Sequence, residues 1–219
     1  MAYTLVIGSK NYSSWSFRPW LFMKHAGVPF DEIILPLYKP EFAELIARYS
    51  PAGRVPVLLD GPLRIWDSLA ICEHVNEKLG TGWPEDPAAR ALARAISAEM
   101  HSGFQSLRGQ CPMNARARAR RVPQTPELLR DVRRIDQAWK ECRERFGASG
   151  PWLFGRFSIA DTMYAPVVLR FNTYGAELSP VSRQYMTSVL ADAHVAAWMA
   201  AAQAETFALE ETDAVGRQG

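Results

Sequence analysis

Arg54-Val55-Pro56-Val57-Leu58-Leu59-Asp60-Gly61-Pro62-Leu63-Arg64-Ile65-Trp66-Asp67-Ser68-Leu69-Ala70-Ile71 is the stretch on which the fold turns. Residues 55–60 are apolar and β-prone, Gly61-Pro62 is a turn signal, and residues 63–66 return as a second strand. A helix follows at once. Asp67 or Ser68 fits the N-cap, the stripe Leu69, Ile71, Cys72, Val75 and Leu79 fits helical spacing, and Gly80 supplies the stop. Two strands joined by so short a turn must be antiparallel, and a helix entered directly from the second covers the sheet they form.

Working back toward the N-terminus, residues 3–7 read as a buried strand and residues 19–26 as a helix, with Pro19 in its first turn and Gly27 at its end. Residues 31–35 are another strand candidate and residues 40–49 another helix. The order is βαβαββα. Parallel strands need crossover connections whereas the last pair shares a turn, so the pattern predicts a mixed, thioredoxin-like sheet covered by helices.

Beyond Gly80 the composition shifts to Gly, Pro and acidic residues, and then alanine- and arginine-rich helical patterns dominate. We expect an α/β domain over residues 1–80, a linker over 81–89 and an all-helical domain over 90–219. Its helices are expected near residues 88–109, 126–146, 158–172 and 191–202. Ser158 and Asp161 have the spacing of a capping-box pair, a structural role outside any site. A chain of 219 residues, 48% of them apolar, can fill two modest cores.

The formal net charge of +2 gives no reason to expect nucleic acid or an anionic membrane as partner. Arg116, Arg118, Arg120 and Arg121 cluster without aromatic interleaving, and read as a solvated face or loop. Cys72, Cys111 and Cys142 show neither metal-ligand spacing nor an even count, so neither a metal site nor a disulfide framework is expected. A cytoplasmic setting fits. No secretory leader is visible, and charge or proline breaks each apolar run well before the roughly 20 residues that cross a bilayer.

Asn11-Tyr12-Ser13-Ser14-Trp15-Ser16-Phe17-Arg18-Pro19 joins the first strand to the first helix, placing hydroxyls and amides near a positive helix end that can hold an anion. Capping by Ser14 or Ser16 reads equally well. At the later helix, Ser68 and nearby backbone donors can take a carboxylate, and Asp67 an ammonium group, although both also read as ordinary N-caps. Met100, His101, Phe104 and Leu107 recur at helical spacing, as a pocket wall or as core.

Taken together, the serine loop, the Val55-Pro56 strand and the Asp67-Ser68 helix start resemble the cytosolic glutathione transferases. The resemblance implies a cis Val55–Pro56 bond and a strand-like pairing of Val55 with the cysteinyl part of glutathione. It implies that Asp67 and Ser68 hold the γ-glutamyl end, and that Lys39 and Arg54 lie near the ligand. By the same resemblance Ser13 and Ser14 activate the thiol, and Trp15, Met100, His101 and Phe104 line the place of a small hydrophobic electrophile. A homodimer is likewise implied. The motif Ser13-Ser14-Trp15-Ser16-Phe17-Arg18 is similar to that of the zeta class, with Trp15 where that class has cysteine and Asp67 where it commonly has Gln. Conjugation of glutathione is the leading expectation; a zeta-like maleylacetoacetate isomerase or a non-catalytic binding or assembly protein are the alternatives. Thiol-disulfide exchange is disfavoured, because the loop lacks a cysteine.

Overall fold

In strand β1 (Tyr3–Gly8), the consecutive residues Leu5, Val6 and Ile7 are all fully buried. Successive side chains of a strand point to opposite faces, so both faces of the sheet must be covered here. The computed structural model, which describes residues 3–217, shows how. Strand β2 (Phe30–Leu35) runs parallel to β1, with Tyr3 opposite Phe30 and Gly8 opposite Leu35. On the other side β3 (Val57–Asp60) runs antiparallel, with Val6 opposite Val57, and β4 (Leu63–Ile65) forms the edge. The order is β2-β1-β3-β4.

Leu5, Ile7 and Leu58 pack against Phe17 and Leu21 of α1 (Ser14–His25) and Ile71 and Val75 of α3 (Ser68–Leu79). Val6, Leu35 and Val57 face Ile46 of α2 (Phe42–Ala47). This is the thioredoxin-like arrangement that the pattern of strands and helices predicts. Helix α1 starts five residues earlier than the sequence reading placed it, because Ser13 caps it, accepting a hydrogen bond from the Ser16 amide at 3.3 Å. Pro19 therefore lies inside the helix, where it cannot donate to the carbonyl of Trp15.

The second part is helical: α4 (Pro87–Ser102), α5 (Gln105–Gln110), α6 (Pro126–Phe146), α7 (Ile159–Tyr174), α8 (Pro180–Leu190), α9 (Ala193–Ala204) and α10 (Glu210–Ala214). Helix α7 is buried on nearly every side and forms the axis of this bundle. Trp139, Phe171 and Tyr185 pack edge to face around it, with ring centroids 5.0–5.5 Å apart. The cores of the two parts are continuous, since Phe17 of α1 stacks on Trp198 of α9 at 4.8 Å. The single helix expected over residues 88–109 is two. Gly103 ends α4, its amide bonded to the Glu99 carbonyl, and Phe104 turns the chain at φ 62° before α5 starts. Helices α8 and α10 have no counterpart in the sequence reading.

Candidate functional site

Asp67 and Ser68 meet the demand of a helix start with one group to spare. Asp67 Oδ1 accepts from the Leu69 amide at 2.8 Å and so caps α3, leaving Oδ2 3.2 Å from His101 Nε2 of α4. Ser68 Oγ is buried with no hydrogen-bond partner. A buried hydroxyl in that condition costs roughly 1–3 kcal/mol, and an anion at a helix N-terminus is the partner that the macrodipole favours. Ser68 opens onto a cavity of about 470 Å³. Val55 and Pro56, joined by a cis bond, form part of its wall, with Arg54, Trp15 and His101. Val55 precedes the ladder, which begins at Val57, so its backbone lies at the open end of β3. Burial holds the His101 imidazole below its ordinary pKa, and the positive Arg18 and Arg108 add to that drop against the pull of Asp67.

At the start of α1 the two serines are both buried and differently engaged. Ser13 Oγ is hydrogen-bonded to Ser16 Oγ at 2.7 Å, and Ser16 Oγ in turn accepts from the Gly8 amide. Ser14 Oγ accepts from the Arg170 guanidinium of α7 at 3.2 Å, a bond that does not use its own proton. Neither serine is on the cavity wall, whereas the next residue, Trp15, is. The loop that delivers them is pinned from far along the chain. Glu205 accepts from Ser9 Oγ and from the amides of Lys10 and Asn11 at 2.5, 2.6 and 3.1 Å. Arg116 reaches the carbonyls of Glu205 and Phe207 and the hydroxyl of Tyr12, which also donates to Asp213.

Residues 12–78 match the family model described as glutathione S-transferase, N-terminal domain, and residues 115–201 match the corresponding C-terminal domain. The chain belongs to the glutathione S-transferase family. It is 27% identical to maleylacetoacetate isomerase of Rattus norvegicus over 177 residues, 76% of this chain and 77% of that protein. It is 41% identical to dichloromethane dehalogenase of Methylorubrum extorquens over 59 residues, but that match spans only 20% of the dehalogenase. Among solved structures, a glutathione transferase homolog from Burkholderia with bound glutathione superposes with a TM-score of 0.72 at 22% identity, covering 94% of this chain and all of the other.

Against this transferase fold the remaining candidates sort by position. Lys39 is exposed, with its ammonium 5.4 Å from the Phe207 ring and off the cavity wall. Met100 and Phe104 are buried in the core, off the wall as well. The run from Arg116 to Arg121 is a loop, and Arg116 is a structural clasp between Tyr12 and the segment after α9. No residue spacing signals that clasp, because its partners are about 90 to 100 positions away in sequence. Ala52 and Trp66 complete the cavity and escaped the sequence reading, although they stand near the named Arg54 and Asp67, because nothing in the local pattern shows which neighbours face the cavity. Among the described residues no cluster of three or more His, Cys, Asp or Glu is placed to hold a metal, and no helix is long and apolar enough to cross a membrane.

Proposed function

We propose that this chain binds glutathione in the cavity at the start of α3 and conjugates its thiolate to a small electrophile. The observation that carries the reading is Ser68 Oγ, a buried hydroxyl left without a partner at a helix N-terminus, on a residue that lines that cavity. Ser68 and the neighbouring amides take the γ-glutamyl carboxylate, and Asp67 Oδ2 takes its ammonium group. The Val55 backbone, free of the β3 ladder, pairs with the cysteinyl part, and Arg54 on the rim faces the glycine carboxylate.

A free thiol of pKa about 8.5 is only a few per cent ionised at neutral pH, so full ionisation gains roughly thirty-fold in nucleophile. Of the two serines, Ser14 is the better donor to the thiolate. Its oxygen accepts a charge-assisted bond from Arg170, which polarises a hydroxyl whose proton remains to be given. Ser13 holds the turn through Ser16. The thiolate then attacks the electrophile, and positioning in the cleft between the sheet and α4 supplies the remaining acceleration.

The extended match to maleylacetoacetate isomerase favours a second reading, in which glutathione adds to a double bond and leaves again after rotation. We further propose a homodimer, with exposed Leu63 and Trp66 beside β4 as part of the covered surface. The test of the main reading is the ultraviolet thiolate signal of bound glutathione as pH is varied, with calorimetry on the same samples. We expect a thiol pKa about two units below the free value, returning toward it in Ser14→Ala and little moved in Ser13→Ala. Absence of saturable binding would remove the glutathione reading. A depressed pKa unchanged in both variants would remove the serine mechanism alone.

A further inference from the structure

Behind the cavity wall lie guanidinium groups that the reading above leaves largely unused. Arg18 of α1 is 1% exposed, and two of its nitrogens, Nε and Nη1, have no hydrogen-bond partner. Arg108 of α5 donates to the carbonyls of Met100 and Gly103. Arg170 of α7 is buried, donating to the Cys111 carbonyl and to Ser14 Oγ. Among the described residues none of the three forms a salt bridge. They also repel one another: burial first, and then Arg108 and Arg170, bring Arg18 down to about 9, while burial and Arg108 bring Arg170 to about 10. A buried cation is ordinarily paired, because removing it from water without a counter-charge is costly. Among the described residues the carboxylate that eases Arg18 is Asp67, which lies against His101.

Between this cluster and the cavity stands Trp15. Its indole is in contact with two guanidiniums, with the Arg18 Cζ 4.3 Å and the Arg108 Cζ 4.8 Å from the ring centroid, and it meets His101 edge-on at 5.3 Å. The same indole forms part of the cavity wall. A cation–π contact is weaker than a charge-assisted hydrogen bond from a guanidinium, which is frequently bidentate. An oxyanion is therefore a stronger partner than the indole for these arginines.

We propose that the second ligand of this site carries a small oxyanion, a carboxylate, which displaces the Trp15 indole and pairs with Arg18 and Arg108. The inference rests on the glutathione reading, because the cavity through which the group enters is the one assigned to glutathione. It narrows the electrophile from any small hydrophobic molecule to an acid with an apolar body. Arg170 contributes its field while remaining bonded to Ser14.

The test compares two glutathione conjugates that differ in charge alone, S-(4-carboxybenzyl)glutathione and S-(4-carbamoylbenzyl)glutathione, by calorimetry beside glutathione itself. We expect the native protein to bind the carboxylate at least tenfold more tightly than the amide, with the ratio shrinking as salt is raised. In Arg108→Met the ratio should fall below threefold while the affinity for glutathione is retained. Should that variant fail to fold, the native ratio and its salt dependence decide the matter alone. Equal affinities in the native protein overturn the inference and leave glutathione binding standing. So does an Arg108→Met variant that weakens glutathione and both conjugates equally, since the cluster would then serve glutathione's own carboxylates. If glutathione and both conjugates fail to bind, the glutathione reading falls first and this inference with it.

Discussion

The chain contains two helix starts built from the same pair of residue types, and they are finished differently. At α7, Asp161 accepts from the Leu153 amide, the Ser158 amide and the Ser158 hydroxyl, each at 2.9 Å, and Ser158 completes a capping box. At α3, Asp67 satisfies one amide and turns its other oxygen to His101, while Ser68 Oγ satisfies nothing. The first pair is closed and the second open. A closed pair is explained by the fold alone, because its polar atoms have spent their valences inside the chain. An open pair in a buried place keeps a cost that only something from outside can offset.

The largest effect expected from this contrast is on folding. Asp161→Ala removes the acceptor of three buried donors, and we expect a loss of about 3–5 kcal/mol in urea denaturation. A loss below about 1 kcal/mol would mean that the closed pair is not a keystone. The next effect concerns pH. Burial raises the Asp161 carboxyl to about 6 against the hydrogen bonds that lower it. The folded state then holds a proton more tightly than the unfolded chain, so this group's contribution to stability rises as pH falls from about 6 to about 4, by up to about 3 kcal/mol. Comparing unfolding midpoints of the native protein and Asp161→Asn across that window isolates the slope, and a difference of opposite sign contradicts the assignment. The smallest loss of stability belongs to the open pair. Ser68→Ala should leave stability unchanged or raise it by up to about 1–3 kcal/mol, since no hydrogen bond is lost and an unpartnered buried hydroxyl is removed, while glutathione affinity falls roughly tenfold for the loss of a bond to a charged group. Thermal melts and calorimetry on one preparation show whether the two properties separate.

Both helix starts were legible in the sequence, because a cap and its helix are local: Ser158, Asp161, Asp67 and Ser68 are recognised within a few residues. The sheet was legible for a similar reason, since strand length, turn residues and the Gly61-Pro62 hairpin are short-range signals. What spacing could not show is which pair is open. That depends on His101 arriving from α4 and on nothing arriving at Ser68 Oγ, both matters of tertiary packing. Arg18 stood inside a quoted motif, yet its lack of a partner appears only when α5 and α7 bring two more guanidiniums to it. The break at Gly103 and Phe104 was missed because a periodic pattern continues across it. Met100 and Phe104 then fell into the core, while His101 stayed on the wall.

The clasp formed by Glu205, Arg116 and Asp213 bears on the placing of the serine loop as well as on shape. The C-terminal family match spans residues 115–201, and the segment from Glu205 onward, which follows it, holds the loop that carries Ser13 and Ser14. The wall of the cavity at the start of α3 and the tether that holds the serine loop are thus written in separate parts of the chain. Under the proposed mechanism a substitution in that segment would shift the serine loop without altering a single residue of the cavity wall, so that in this chain reactivity can be changed separately from recognition.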